Sequence, residues 1–264
     1  MPVRIVTDSS AGLPADIVEE LDITVVPLHV MSRGGATSTA GLSALELTAA
    51  YARQLERGHD EGVLALHLSK ELSSTWSNAT AAAAVFDDTV RVVDTNSAGM
   101  AVGAAAMAAA RLAKQGADLE RCYEAAVNTL ERADLFLYLH RIEDMRKSGR
   151  LSPATALMSS ALATRPIMTI RGGKVELAAK TRTQTKAFIK LVEMIAEKAG
   201  GKPVFIAIQQ TEAREAAKAL LKTMQAVLAE GTSYLTSELD DAIGAHVGPG
   251  ALAVSVVYSA QPEG

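Results

Sequence analysis

Cysteine is nearly absent. Cys122 is the one thiol in 264 residues, which excludes an internal disulfide and any cysteine-rich zinc site. A reducing compartment is the default for such a chain. Basic excess is missing too: 26 Lys and Arg stand against 30 Asp and Glu, a net charge of −4. That argues against nonspecific nucleic-acid binding, which needs a basic face. Long apolar runs are lacking. The most apolar stretch, Ala98 to Ala113, is rich in alanine and broken by Gly99 and Gly103, too short and too weakly apolar to span a bilayer. The opening MPVRIVTDSS has no charged region followed by an apolar run, so no signal peptide is read and a cytoplasmic location is expected.

Familiar catalytic motifs are also missing. There is no Gly-rich phosphate loop with its Lys-Ser/Thr, no G-x-G-x-x-G after a strand and no G-x-S-x-G elbow. Gly99 and Gly103 read as close helix packing. The five histidines are scattered, with no pair at metal-ligand spacing, so no metal site is expected. His67 lies in an apolar strand and reads as a hydrogen-bonded core residue.

What is present is an ordinary globular composition, 48% hydrophobic and 21% charged. In the first half, short apolar runs alternate with alanine-rich helical stretches. Val3–Thr7, Ile23–Val30, Val63–Leu68 and Val90–Asp94 read as strands, with Pro27 marking an edge or a bend. Ala44–Arg57, Ser74–Val85 and Met100–Lys114 read as helices. This alternation implies a largely parallel sheet covered on both faces.

The second half mixes a hairpin with helices. Leu135–Leu139 is a strand, Met145–Ser152 a basic loop and Pro153–Thr164 an apolar helix. Pro166–Ile170 and Lys174–Ala178 flank Gly172-Gly173 as a hairpin. Thr185–Lys198 and Glu212–Ala229 are helical; Val204–Ile208 and Leu252–Tyr258 are strands. The chain is therefore α/β, with an N-terminal α/β domain over 1–135 and a C-terminal α+β domain over 136–264.

Hydroxyls cluster where strands end. Asp8-Ser9-Ser10 closes the first strand, Thr37-Ser38-Thr39 lies in the loop after the second, and Ser69 with Ser73-Ser74-Thr75 follows the third. Asp94-Thr95-Asn96-Ser97 follows the fourth. In a parallel sheet such loops gather at the carboxyl edge, where ligands of open α/β folds bind. Each cluster is equally what a helix cap needs. Neutral hydroxyls and helix N-termini suit a small anion such as a carboxylate. In the second half, Gly149-Arg150-Leu151-Ser152 sits between a charged segment and an apolar helix. His246 precedes a rigid Gly248-Pro249-Gly250 turn, where it can donate to an anion or simply sit at the surface.

These segments together resemble the DegV family of bacterial fatty-acid-binding proteins over nearly the whole chain. The resemblance is carried by Ile5-Val6-Thr7-Asp8-Ser9-Ser10, Thr37-Ser38, Leu72-Ser73-x-Thr75 and Val93-Asp94-Thr95-x-Ser97. It continues through Gly149-Arg150-Leu151-Ser152, Arg165-Pro166-Ile167, Lys180-Thr181-Arg182-Thr183 and Gly244-x-His246-x-Gly248-Pro249-Gly250-Ala251-Leu252. The sequence departs from the family at Ser74, where a Gly is usual, at Thr39-Ala40-Gly41, where Gln-Pro-Ser is usual, and at Ser148.

The resemblance implies a parallel-sheet domain packed against an α+β domain, with a long-chain fatty acid between them. It implies that Thr37, Ser73, Arg150 and His246 hold the carboxylate and that Arg182 faces a fatty acid kinase subunit. That partner phosphorylates the carboxyl group with ATP, and the acyl phosphate enters phospholipid synthesis. The carrier itself has no catalytic residues, metal or cofactor beyond the bound fatty acid. It binds no nucleic acid, and brief contact with a membrane surface fits such a role. Met107, Met158 and Met168 are candidates to line the tail's path. A competing reading is a stand-alone serine hydrolase or acyltransferase using Ser73 and His246; it lacks a visible acid to orient the histidine.

Overall fold

The computed structural model describes residues 3–33, 36–158 and 164–260. Two compact units divide the chain, Met1–Glu131 and Arg132–Gly264.

In the first unit, β1 (Arg4–Asp8) runs into a 3-10 turn at Ser9–Ala11, then α1 (Ala15–Leu21) and β2 (Thr24–Val26). A hairpin of β3 (His29–Arg33) and β4 (Ala36–Ala40) follows, then α2 (Ala44–Arg57), β5 (Val63–Leu66), α3 (Thr75–Ala83) and β6 (Val90–Val93). Helices α4 (Gly99–Lys114) and α5 (Leu119–Glu131) complete it. Strands β2, β1, β5 and β6 form a four-stranded sheet in that order, parallel throughout. Val6 and Ala65 pack with Leu47, Tyr51 and Leu55 of α2 and Ala79 and Ala82 of α3. Helices α4 and α5 contact the sheet through β1, β5 and β6, and α4 is buried along most of its alanine-rich length. The expected alternation of strand and helix thus produces the expected parallel sheet.

Two local readings are corrected. Ile23–Val30 is not one strand: the chain breaks at Pro27-Leu28, and His29 opens a separate two-stranded sheet. Thr37-Ser38-Thr39 is not a loop but part of β4, paired antiparallel with β3. Proline has no N–H for the parallel ladder, which ends β2 there; β-branched Thr37 and Thr39 favour extended backbone.

The second unit contains β7 (Ala133–Tyr138), α6 (Ile142–Lys147), α7 (Pro153–Met158), β8 (Arg165–Arg171) and β9 (Lys174–Thr181). It continues with α8 (Gln184–Ala199), β10 (Phe205–Gln210), α9 (Arg214–Val227), β11 (Ser233–Glu238), α10 (Asp241–Val247) and β12 (Leu252–Val257). Six strands pair in the order β11-β10-β12-β7-β8-β9, with β10 and β11 parallel and the other pairs antiparallel. One face is covered by Phe188, Leu191 and Ile195 of α8 and Leu220 and Met224 of α9, packed on Phe136, Ile167, Ile206 and Val254. The β8–β9 hairpin is the one read from Gly172-Gly173. The expected basic loop is in part helix: α6 takes Ile142–Lys147. Glu143 and Asp144 in its first turn and Arg146 and Lys147 in its last complement the helix dipole. The helix expected over Pro153–Thr164 is seen to Met158; residues 159–163 lie outside the described residues, and Thr164 is not helical but directly precedes β8.

Candidate functional site

Three of the four hydroxyl clusters do stand at the carboxyl ends of parallel strands. They follow β1, β5 and β6. The fourth, Thr37 to Thr39, belongs to the β3–β4 hairpin; the Thr37 side chain lies outside what the structure describes.

The loop after β5 is built from its own hydrogen bonds. Ser73 N donates to Ser69 O at 3.2 Å, and Ser69 N donates to Ser97 O of the β6 exit at 2.7 Å. The Ser73 Oγ and Thr75 Oγ1 atoms are 3.0 Å apart, and Thr75 N donates to Ser73 Oγ at 3.2 Å. Leu42 N donates to Thr75 Oγ1 at 3.1 Å, tying this loop to the segment before α2. Gly41 lies against the same hydroxyls. A Cβ there would stand 2.8 Å from Thr75 Oγ1, 2.9 Å from Ser73 Oγ and 3.0 Å from Ser74 Oγ. These hydroxyls stand at the start of α3, where neutral donors and the helix's positive end are chemically suited to an anion.

In the second unit, Arg150 and His246 are brought within each other's electrostatic reach. Burial, with the Arg150 charge adding to it, holds the His246 imidazole down to about 4. It is therefore neutral at neutral pH and keeps one N–H to donate. Arg150 Nη1 donates to Ser148 O at 2.5 Å, which holds the guanidinium over its own turn. His246 stands in the last turn of α10, directly before the Gly248-Pro249-Gly250 turn it was expected to precede. The Asp240 carboxylate caps that helix through Ala242 N at 2.9 Å and Ile243 N at 3.4 Å, and Gly248 closes it. Gly248 has φ 76° and ψ 170°, a conformation nearly confined to glycine. A side chain there would also run into Asp144 of α6. Asp144 gave no sequence signal, since only the packing of α6 on α10 brings it to this turn. Arg182 is exposed just beyond β9.

The hydrolase reading finds a partial constellation in an unexpected place. His67 Nδ1 lies 3.0 Å from Asp8 Oδ2, wholly buried. Its Nε2, which would take a serine's proton in a triad, instead faces the Tyr51 hydroxyl at 2.9 Å. His67 is thus the hydrogen-bonded core residue expected from its strand. Among the described residues, no group of three or more His, Cys, Asp and Glu is arranged to hold a metal ion. No described helix is long and apolar enough to cross a membrane.

Comparison with known proteins places this architecture. A family model described as "Uncharacterised protein, DegV family" matches residues 31–259. A DegV domain-containing protein of Corynebacterium glutamicum is 63% identical over 262 residues, covering 99% of this chain and 96% of its own. A crystal structure of a DegV family protein from that organism superposes with a TM-score of 0.96 at 62% identity, over 99% of both chains. A DegV family protein of Thermus thermophilus, described by its fatty acid binding, superposes with a TM-score of 0.89 at 27% identity, over 98% of this chain and 100% of that one. DegV of Bacillus subtilis, described as a fatty acid binding protein, gives 0.85 at 26% identity with the same coverage.

Proposed function

This chain belongs to the DegV family, and we propose that it binds a long-chain fatty acid and presents the carboxylate to a fatty acid kinase subunit. The observation that carries the reading is the full-length likeness to two proteins described as fatty acid binding. The chemistry is consistent with it. Burying about 14 methylenes at roughly 0.8 kcal/mol each contributes on the order of 11 kcal/mol before entropy costs. The tail then dominates affinity, and the head needs only donors that keep its carboxylate ionised.

Thr37, Ser73, Arg150 and His246 are the proposed donors. Arg150 supplies the positive charge, a neutral His246 donates one hydrogen bond, and hydroxyls complete the set. Arg182, exposed beyond β9, is the proposed contact with the kinase subunit. That partner brings ATP, forms the acyl phosphate and feeds phospholipid synthesis; this chain acts as a cytoplasmic carrier and contributes no catalytic residue.

Purified protein is denatured, extracted with organic solvent and analysed by mass spectrometry. A fatty acid recovered unaltered supports the carrier. No fatty acid in the extract, together with no uptake when one is offered, removes the reading. Hydrolysis of an ester without any partner points to the enzyme instead.

A further inference from the structure

A buried chain of polar groups, Tyr51–His67–Asp8, is left unused by the proposed function. Asp8 accepts four hydrogen bonds. Its Oδ1 takes Ser10 N at 3.0 Å and the Ser10 hydroxyl; its Oδ2 takes Leu68 N at 3.1 Å and His67 Nδ1 at 3.0 Å. Tyr51, His67 and Asp8 are 0% exposed and Ser10 is 1% exposed. Burial, with the Asp8 charge adding to it, pushes the Tyr51 phenol up, so it stays protonated and donates to His67 Nε2. That fixes the tautomer: Nδ1 carries the proton and donates a hydrogen bond to Asp8 Oδ2.

Stability alone does not account for such a network. Well-packed apolar residues in place of a buried charged group are often as stable or more so. A fully satisfied network does fix directions, because each hydrogen bond constrains its neighbour. This one stands at the root of the loop that carries Ser73. The parallel register that pairs Thr7 with Leu66 brings Asp8 to the level of His67. On the other side, Thr95 Oγ1 donates to His67 O at 2.6 Å. The exits of β1, β5 and β6 are therefore tied together at His67. Six residues later comes Ser73, its backbone N–H bonded to Ser69 O.

We propose that Tyr51, His67 and Asp8 are positioning residues for the loop 69–75: they fix where the Ser73 hydroxyl stands and thereby set recognition of the ligand's carboxylate. This rests on the fatty-acid reading above. It assigns a role to residues that are wholly buried.

The test compares hexadecanoic acid with hexadecan-1-ol, the same tail without a carboxylate, by calorimetry on the full chain. Wild-type protein binds the acid more tightly. Equal affinities would overturn the carboxylate reading and this inference with it. Tyr51→Phe removes one hydroxyl. It lowers the acid-over-alcohol ratio by roughly fivefold, about the worth of one hydrogen bond, while alcohol affinity holds. A purely structural role moves both ligands together or neither. Ser10→Ala, which trims one donor from Asp8, is the milder variant should Tyr51→Phe fold poorly, and it shifts the ratio the same way. In a Ser73→Ala background, Tyr51→Phe produces no further fall, because the two act through one group. An unchanged ratio in both single variants, with the wild-type preference intact, overturns the positioning role alone. So does a full further fall in the Ser73→Ala background.

Discussion

His246 and Arg150 are electrostatically coupled in the second unit: burial, with the Arg150 guanidinium's charge adding to it, holds the His246 imidazole down to about 4. A sign follows. The ordinary value is 6.5, so as pH falls the unfolded chain takes up this proton first. The stability supplied by a neutral His246 is complete above about 6.5 and is lost progressively as pH falls towards about 4. A bound carboxylate reverses the local electrostatics, because a negative charge favours the protonated ring. The imidazole's pKa therefore rises when the protein is loaded with fatty acid. An NMR titration of the ring protons, with and without ligand, measures this. Identical midpoints would show that His246 does not face the carboxylate.

The hydroxyls around Gly41 give a second prediction. Ser73→Ala removes the acceptor of Thr75 N and one of the proposed carboxylate donors. Acid affinity falls by roughly 1.5–3 kcal/mol, the worth of a hydrogen bond to a charged group, against about 1 kcal/mol of folding stability for the lost bond from Thr75 N. Gly41→Ala pushes a methyl group against three hydroxyls, the nearest at 2.8 Å, and weakens the acid in the same direction without removing any polar atom. Calorimetry for binding and thermal melts for stability separate the two effects. Wild-type acid affinity in Ser73→Ala would leave Ser73 as a turn-closing residue only.

Which parts were legible follows from physical causes. Ala44–Arg57 was readable end to end because Ser43 and Glu46 form a capping box and an apolar stripe runs from Leu47 to Leu55. Fully buried strands such as β5 carry continuous apolar runs. Edge strand β11, with no buried position, carries none and leaves no such signal in the sequence. Helix α5 hides because it buries only Cys122, Ala126 and Thr129, a stripe too small to stand out. The loop carrying Ser73 was legible as a hydroxyl run after a strand. The bond from His67 to Asp8 was not, since it joins residues 59 apart and exists only through the register of β1 on β5.

Gly248 ties α10 to α6, and its backbone is the origin of a third prediction. Its φ of 76° and ψ of 170° cost a non-glycine residue about 1–3 kcal/mol. Any Cβ would also stand 2.8 Å from the Asp144 carboxyl carbon. Gly248→Ala should lower stability by about 2 kcal/mol or more, read from urea midpoints. Asp144→Ala in the same chain removes the carboxyl group from the collision but leaves Cβ at 2.9 Å, so it restores only part of the loss and leaves the backbone strain. A cost below about 0.5 kcal/mol, the level of an ordinary surface change, would show that the turn after His246 adapts freely.

Arg182 tests the partner surface. It is exposed beyond β9, with exposed Lys180 before it and exposed Lys186 in the first turn of α8. The positive end of α8 lies at the same place, so local potential is positive on a chain whose net charge is −4. Charges at the rim of an interface chiefly speed encounter and make it salt-dependent. Arg182→Ala should therefore lower kinase-coupled acyl-phosphate formation by on the order of tenfold at low salt, and by less once salt screens the surface. Its fatty-acid content, measured by extraction from the same preparation, should equal that of the wild type. An effect that does not shrink with salt points to a contact other than steering. If lipid content falls while turnover per bound lipid is unchanged, Arg182 belongs to lipid binding, and the docking surface lies elsewhere.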